Sequence, residues 1–310
     1  AGSPGQRGAD LSLPTPYDGS SRLFQIGLKP LDPAEWIDVD DRLVAQLAEK
    51  RRIFTSHPVE TFVAEAGTEP AQAEVLHMLA DHLPRRFPDT YARQDDSIAI
   101  RPSGDKIALT SGTPPLLTAA HLVAEDLVML RKGDTGWRLV AAALAFPSSW
   151  VLAEKFGQPM HDIHAPVPGF GPGTRPAMLI ERMFDNMRVE TPMIRWNWSL
   201  YGDDRLYHPD VSGPDTRRFG ADMANIFLRV ERQTLRLLPT SRDILFTIRI
   251  HVDPLAALEA QPEAGRIAMA LAEQLMALDP AQLDYKGLTL ERDRLVERLG
   301  RISSPRRGED

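Results

Sequence analysis

Apolar and polar positions alternate most sharply between Ile244 and Val252. Leu245, Thr247, Arg249 and His251 fall on one side of an extended chain, and Ile244, Phe246, Ile248, Ile250 and Val252 on the other. This period of two predicts a strand with at least one core-facing side. Phe227 to Leu238 alternates in the same way, with Leu228, Val230, Arg232 and Thr234 opposing Phe227, Arg229, Glu231, Gln233 and Leu235. Residues 192–201, PMIRWNWSLY, predict a third strand with Trp196 and Trp198 on one face and Arg195 and Asn197 on the other. Trp137 to Phe146 carries one charge, at Arg138, and has the length of a strand, although its successive alanines leave a buried helix open. The turn 132–136 would join it to a strand within 121–131. Ile98-Ala99-Ile100 and Lys106 to Leu109 flank Ser103-Gly104-Asp105 as a hairpin.

Helical spacing dominates on either side of these runs. Asp32-Pro33-Ala34-Glu35 offers a cap, a proline at the first helical position and an acidic third position, so a short helix with Trp36 as its anchor is expected. Asp40 or Asp41 opens a helix through Arg52 that faces Leu43, Leu47, Ile53 and Phe54 inward. Lys50-Arg51-Arg52 at its end suits the helix dipole, with a partner-docking patch as the alternative. His57-Pro58 leads into a helix to about Ala66. Pro70 starts another through Leu83, where His77 and His82 take surface or half-buried positions before Leu83-Pro84-Arg85-Arg86-Phe87-Pro88 stops it. Residues 113–118 read as a connector and 203–213 as a polar loop. Pro176 to Met187, Pro254 to Leu258, Gly265 to Leu278 (ended by Pro280) and 287–299 complete the helices. The order of helices, sheet and helices predicts an α+β fold, an antiparallel sheet whose concave face could hold a ligand. Residues 1–22 read as a flexible arm, 23–300 as one domain and 301–310 as a flexible tail.

Between the sheet segments lies the stretch with the most chemistry. Pro147 ends the strand before it, Ser148 or Ser149 can cap a short helix from Trp150 to Phe156, and Gly157 and Pro159 end that helix. Met160-His161-Asp162-Ile163-His164-Ala165-Pro166-Val167-Pro168-Gly169 then puts two histidines on a segment stiffened by two prolines. His164 is either a structural imidazole or the single axial ligand of a large planar cofactor. A haem asks for one strong protein nitrogen, an apolar slot and cations for its propionates. His161, between Pro159 and Asp162, is the wetter fallback ligand. A compact non-haem site from His161, Asp162 and His164 has no third ligand at short spacing. Arg195, Arg229, Arg232, Arg236 and Arg249 lie in or beside strands, where each must pair internally, for instance with Glu231, or face a cavity and bind an anion. In the second case Glu231 would neighbour a cationic amine.

Composition narrows the chemistry. The 310 residues are 43% apolar and carry a formal charge of -7, which supports a real core and argues against non-specific nucleic-acid binding. With no cysteine, disulfides, thiolate metal sites and cysteine-held clusters are excluded. No long apolar run or signal-like start is present, so a soluble, cytoplasmic protein is expected. The glycine-rich run Gly169-Phe170-Gly171-Pro172-Gly173 lacks the lysine of a phosphate-binding loop, and Ser148-Ser149 lacks the glycines of a nucleophile elbow.

Six segments, in order, resemble one family. IGLKPLDPAEWIDVD (26–40), LPRRFP (83–88), FPSSW (146–150), IHAPVPG (163–169), RWNWS (195–199) and LRVERQTLRLLP (228–239) are similar to the haem-carrying alpha subunit of the haem-dependent oxidative N-demethylase family. The resemblance implies an antiparallel PAS-like sheet forming a pocket for haem b, with helical additions at both ends. It implies a monooxygenase that oxidatively demethylates a small secondary methylamine, dimethylamine-like, to the smaller amine and formaldehyde, using dioxygen. Electrons would come from separate NADPH, flavin and iron–sulfur components. His164 is the expected iron ligand, with His161 as fallback. Arg195, Arg232 and Asn197 are expected to contact the cofactor, and Glu231 to serve as the catalytic, amine-recognising residue. A haem-binding gas or redox sensor without turnover, or an interaction protein that has lost the haem site, are the alternatives.

Overall fold

The computed structural model describes residues 14–209 and 219–303. The chain begins with β1 (Lys29–Pro30), a 3-10 turn (Pro33–Glu35), α1 (Leu43–Ser56), α2 (Pro58–Thr61), β2 (Phe62–Ala64) and α3 (Glu69–Arg86). A small meander follows, β3 (Tyr91–Gln94), β4 (Ser97–Ile100) and β5 (Asp105–Ala108), and then α4 (Pro115–Ala120). The hairpin of β6 (Asp126–Gly133) and β7 (Gly136–Ala143) leads into α5 (Leu152–Lys155), α6 (Met160–Ile163) and α7 (Arg175–Asp185). Three long strands, β8 (Met193–Tyr201), β9 (Phe227–Leu237) and β10 (Ile244–Pro254), precede α8 (Leu255–Glu259), α9 (Ala264–Met276), α10 (Pro280–Lys286) and α11 (Arg292–Ser303). The fold is α+β, as the order of elements predicts.

The main sheet runs β1-β8-β9-β10-β6-β7-β2, with every neighbouring pair antiparallel. Its register follows from the alternation. Arg195 lies opposite Gln233, Asn197 opposite Glu231 and Ser199 opposite Arg229, so these side chains share one face. Across β10 that face continues as Ile248, Ile250 and Val252, opposite Gln233, Glu231 and Arg229. One face therefore has a polar margin on β8 and β9 and an apolar floor on β10. The other face of β10 is buried too. Its polar groups are met locally: Arg249 pairs with Asp40 (2.6 Å), and His251 Nε2 lies 3.0 Å from Asp38.

Several expectations are corrected. The stretch after Pro58 leaves its helix after one turn and becomes β2, which pairs Phe62 with Ala143 and covers the edge of β7. The segment 83–88 does stop α3, but at Arg86 rather than at Leu83, because a proline in the last turn lacks only one N–H bond. The connector at 113–118 is largely α4, and Pro280 starts α10 as well as ending α9. The short helix after Ser149 is one turn, capped by Val151 rather than by either serine. The flexible arm expected over 1–22 is corrected for its described part: Tyr17 is buried edge-on against Trp198, ring centroids 6.2 Å apart. The rest of that arm, residues 210–213 of the polar loop and the tail from 304 lie outside the described residues.

The largest departure concerns Lys50, expected with Arg51 and Arg52 as a cation that suits the helix dipole or docks a partner. It is completely buried. Its ammonium donates to the carbonyls of Val123 (3.1 Å) and Glu125 and lies 3.8 Å from Asp126. Asp126 in turn accepts the N–H groups of Ala145 and Phe146, both at 2.8 Å. The pair thus pins the chain where β7 gives way to the histidine-bearing loop. Arg51 and Arg52 do stay at the surface, paired with Asp105 and Glu49.

Two half-buried histidines set an acid limit on stability. His82 packs edge-on to Trp36 at 5.4 Å and His121 edge-on to Phe54 at 5.5 Å. Burial, reinforced by nearby cations, pulls each imidazole from 6.5 down to about 4. Between those values the unfolded chain binds protons that the folded chain refuses. Their contribution is therefore complete above pH 6.5 and is lost as pH falls towards 4. The apoprotein's melting temperature is expected to fall across that window, with a shallower fall in the His82→Gln/His121→Gln double variant, as differential scanning fluorimetry in a pH series would read.

Candidate functional site

The loop after β7 is built to cross the face defined above. Gly157 takes a left-handed φ of +75°, and the chain turns back along β7, bonding Leu139 N–H to the Gln158 carbonyl and Gly157 N–H to the Leu139 carbonyl. Pro159 then starts the single turn of α6, which ends at His164. In the sheet β7 and β8 are separated by β6, β10 and β9. The charge of Arg195 on β8 nonetheless acts on His164, which brings the end of the loop within electrostatic reach of that strand. Arg229, almost wholly buried, ties the start of this loop to the sheet by donating to the carbonyls of Phe146 (3.0 Å), Pro147 (3.3 Å) and Leu206 (3.0 Å) and to Ser148 Oγ (2.9 Å). Ser149, next to it, holds a positive φ of 60° and places its Oγ 3.1 Å from the Tyr201 hydroxyl.

His164 is a neutral imidazole at ordinary pH. Burial, and then the positive charges of Arg195 and Lys155, pull it from 6.5 down to about 4. Its backbone N–H bonds to the Met160 carbonyl at 3.0 Å, which closes the turn of α6 and fixes where the ring starts. Phe170 lies beside it, ring centroids 6.4 Å apart. His161 differs: its nearest polar partner is its own neighbour, Asp162, at 3.7 Å.

Arg195 is the cation on the opposite side. One N–H reaches the Gln25 carbonyl at 3.3 Å, and Nε is buried without a partner among the described residues. Burial lowers its pKa despite the nearby carboxylate of Glu231. Glu231 is itself buried, and its Oε2 accepts from Gln233 Nε2 at 2.6 Å and Asn197 Nδ2 at 3.3 Å. Asn197 Oδ1 accepts from Lys286 Nζ at 3.2 Å.

Four of the six residues singled out in the sequence, His164, Arg195, Asn197 and Glu231, are thus brought within interaction reach of one another. Arg232 is not. Period two puts it on the other face, where it donates to the carbonyls of Trp36 (3.1 Å) and Glu35. Gln233, Lys286 and Gln25 were missed. Gln233 was legible, since the alternation that selects Glu231 selects it too. Lys286 was also signalled: Asp279-Pro280-Ala281-Gln282 is a capping box, and Gly287 ends the helix in the left-handed region.

A model of the family described as haem-dependent oxidative N-demethylase, alpha subunit-like, matches residues 27–296. The chain belongs to that family. All of the residues gathered around His164 except Gln25 lie within the matched span of this N-demethylase-like chain, and the family is one of enzymes. Among the described residues no group of three or more His, Cys, Asp or Glu side chains is gathered to hold a metal, and no helix is long and apolar enough to cross a membrane. A haem needs only one protein nitrogen, and the residues present fit one. His164 offers a neutral nitrogen, Ile248 and Ile250 a buried apolar backing, and Arg195 a half-buried cation with no carboxylate at ion-pair distance among the described residues, suited to a propionate.

Proposed function

We propose that this chain is the haem-carrying subunit of an oxidative N-demethylase. It takes a small secondary methylamine, dimethylamine-like, to the smaller amine and formaldehyde. The observation that carries the reading is the convergence of His164 with Arg195 and Glu231 on one sheet face. His164 would be the axial ligand of haem b in a PAS-like pocket, Arg195 would hold a propionate, and Glu231 would bind the amine's positive charge. When bound, haem supplies the activation of dioxygen needed to oxidise an N-methyl carbon.

The residues of this chain do the rest. Arg195 would hold an anionic edge of the cofactor, and the buried Glu231 carboxylate would bind the ammonium of the amine. Asn197 and Gln233 hold that carboxylate in place from one oxygen. The overall balance is one amine, one dioxygen, two electrons and two protons giving the demethylated amine, formaldehyde and water. A chain without cysteine must receive those electrons from outside, and separate NADPH-, flavin- and iron–sulfur-bearing components are the proposed source. Titration of the apoprotein with haem, followed by formaldehyde detection with dimethylamine and an electron donor, tests the reading. A Soret band with no formaldehyde would favour a sensor, and no Soret band would end the haem assignment.

A further inference from the structure

We infer that Lys286, at the end of α10, is a positioning residue for the Glu231 carboxylate and acts on it through Asn197; this rests on the proposed role of Glu231 in amine recognition. An asparagine amide can sit in either of two orientations. Only one offers N–H to a carboxylate, and the other would set its oxygen against the charge. Lys286 decides between them. An ammonium can only donate, so its 3.2 Å bond to Asn197 commits that oxygen to the lysine and turns Nδ2 towards Glu231 Oε2, 3.3 Å away.

The lysine is itself held in place. Its Nζ also donates to the Trp198 carbonyl at 2.8 Å, so two consecutive residues of β8 receive it. The Phe24 ring lies 5.8 Å from Nζ. The helix that carries it is fixed at both ends, by the Asp279–Gln282 capping box and by Gly287 at a φ of 64°. Gln233 donates to the same carboxylate oxygen at 2.6 Å, so Oε2 takes two neutral donors, and Oε1, which accepts none among the described residues, is the oxygen for a cationic one. Lys286 therefore governs how well the carboxylate is presented, without touching the substrate.

The experiment is calorimetric titration of the haem-loaded full chain with dimethylammonium chloride. Lys286→Met is expected to weaken binding roughly tenfold, and Asn197→Leu by a similar factor. The double variant should be no more than about twofold weaker than Asn197→Leu alone, because the two residues act as one chain. Lys286→Arg, which keeps a donor for both acceptors, should recover binding to within about threefold of wild type. A purely structural lysine would not give this coupling. Should Lys286→Met fail to fold, Lys286→Gln takes its place under the same reading. Lys286→Met binding within about twofold of wild type, or effects that multiply in the double variant, would overturn the inference. Glu231→Gln separates the two levels. If it binds like wild type, or wild type gives no heat, the amine-recognition role fails and this inference with it. If it loses binding while Lys286→Met does not, only the role of Lys286 fails.

Discussion

Replacing His164 by alanine is expected to lower the apoprotein's affinity for haem by at least about a hundredfold, since loss even of a group that only supports a ligand costs ten- to a hundredfold. His161→Ala should leave affinity within about threefold. The contrast follows from how α6 presents the two rings. His164 sits at the end of that turn and is held neutral by burial and by the charges of Arg195 and Lys155. His161 lies near its neighbouring carboxylate. The measurement is Soret absorbance on haem titration, with far-ultraviolet circular dichroism to show that both variants fold. The alanine variant leaves an imidazole-sized gap, so millimolar free imidazole should restore part of the band. Wild-type affinity in His164→Ala together with a lost band in His161→Ala would move the ligand to His161.

The long strands could be read from the sequence because alternation is a property of the residues themselves. Arg195, Asn197, Glu231 and Gln233 share a face whatever else the chain does, once β8 and β9 pair in register. The same rule separates Arg232 from Glu231. The resemblance brought them together as site residues, but neighbours along a strand point to opposite faces. Short elements behaved differently. The proline at residue 58 could start a helix, and it did, but nothing local announces that residues 62–64 must leave it to pair with β7, which lies some eighty positions on. Long-range pairing decided that segment. At Pro280 the sequence did carry the decisive signal, a capping box, and its importance lies in delivering Lys286 to the edge of β8. The approach of His164 to Arg195 was not legible either, because no local pattern records how far a loop travels across a sheet.

The basic run at 50–52 shows the limit of local reading, and it yields the largest expected loss of stability. Lys50→Met should destabilise the fold by about 3–5 kcal/mol, the usual cost of leaving a buried charge without its partner. Asp126 is as deeply buried as Lys50, and the backbone N–H groups of Ala145 and Phe146, with the charge of Arg229 further off, would be left to offset its charge. The Val123 and Glu125 carbonyls would lose their donor as well. For a chain of this size that corresponds to a fall in melting temperature of about 5–8 °C. Arg51→Met and Arg52→Met, which break surface pairs, should each change stability by less than about 1 kcal/mol. Adding Asp126→Asn to Lys50→Met removes the orphaned charge and should recover part of the loss, a non-additivity that a mere packing defect would not produce. Urea unfolding of the four single variants and the double reads all of this. A Lys50→Met cost no larger than that of Arg51→Met would show that the pair does not anchor the fold. The loss should also reach the candidate site, because Asp126 holds the residues from which the His164 loop departs. Lys50→Met protein kept below its melting temperature is therefore expected to bind haem more weakly than wild type, whereas the two arginine variants bind it unchanged.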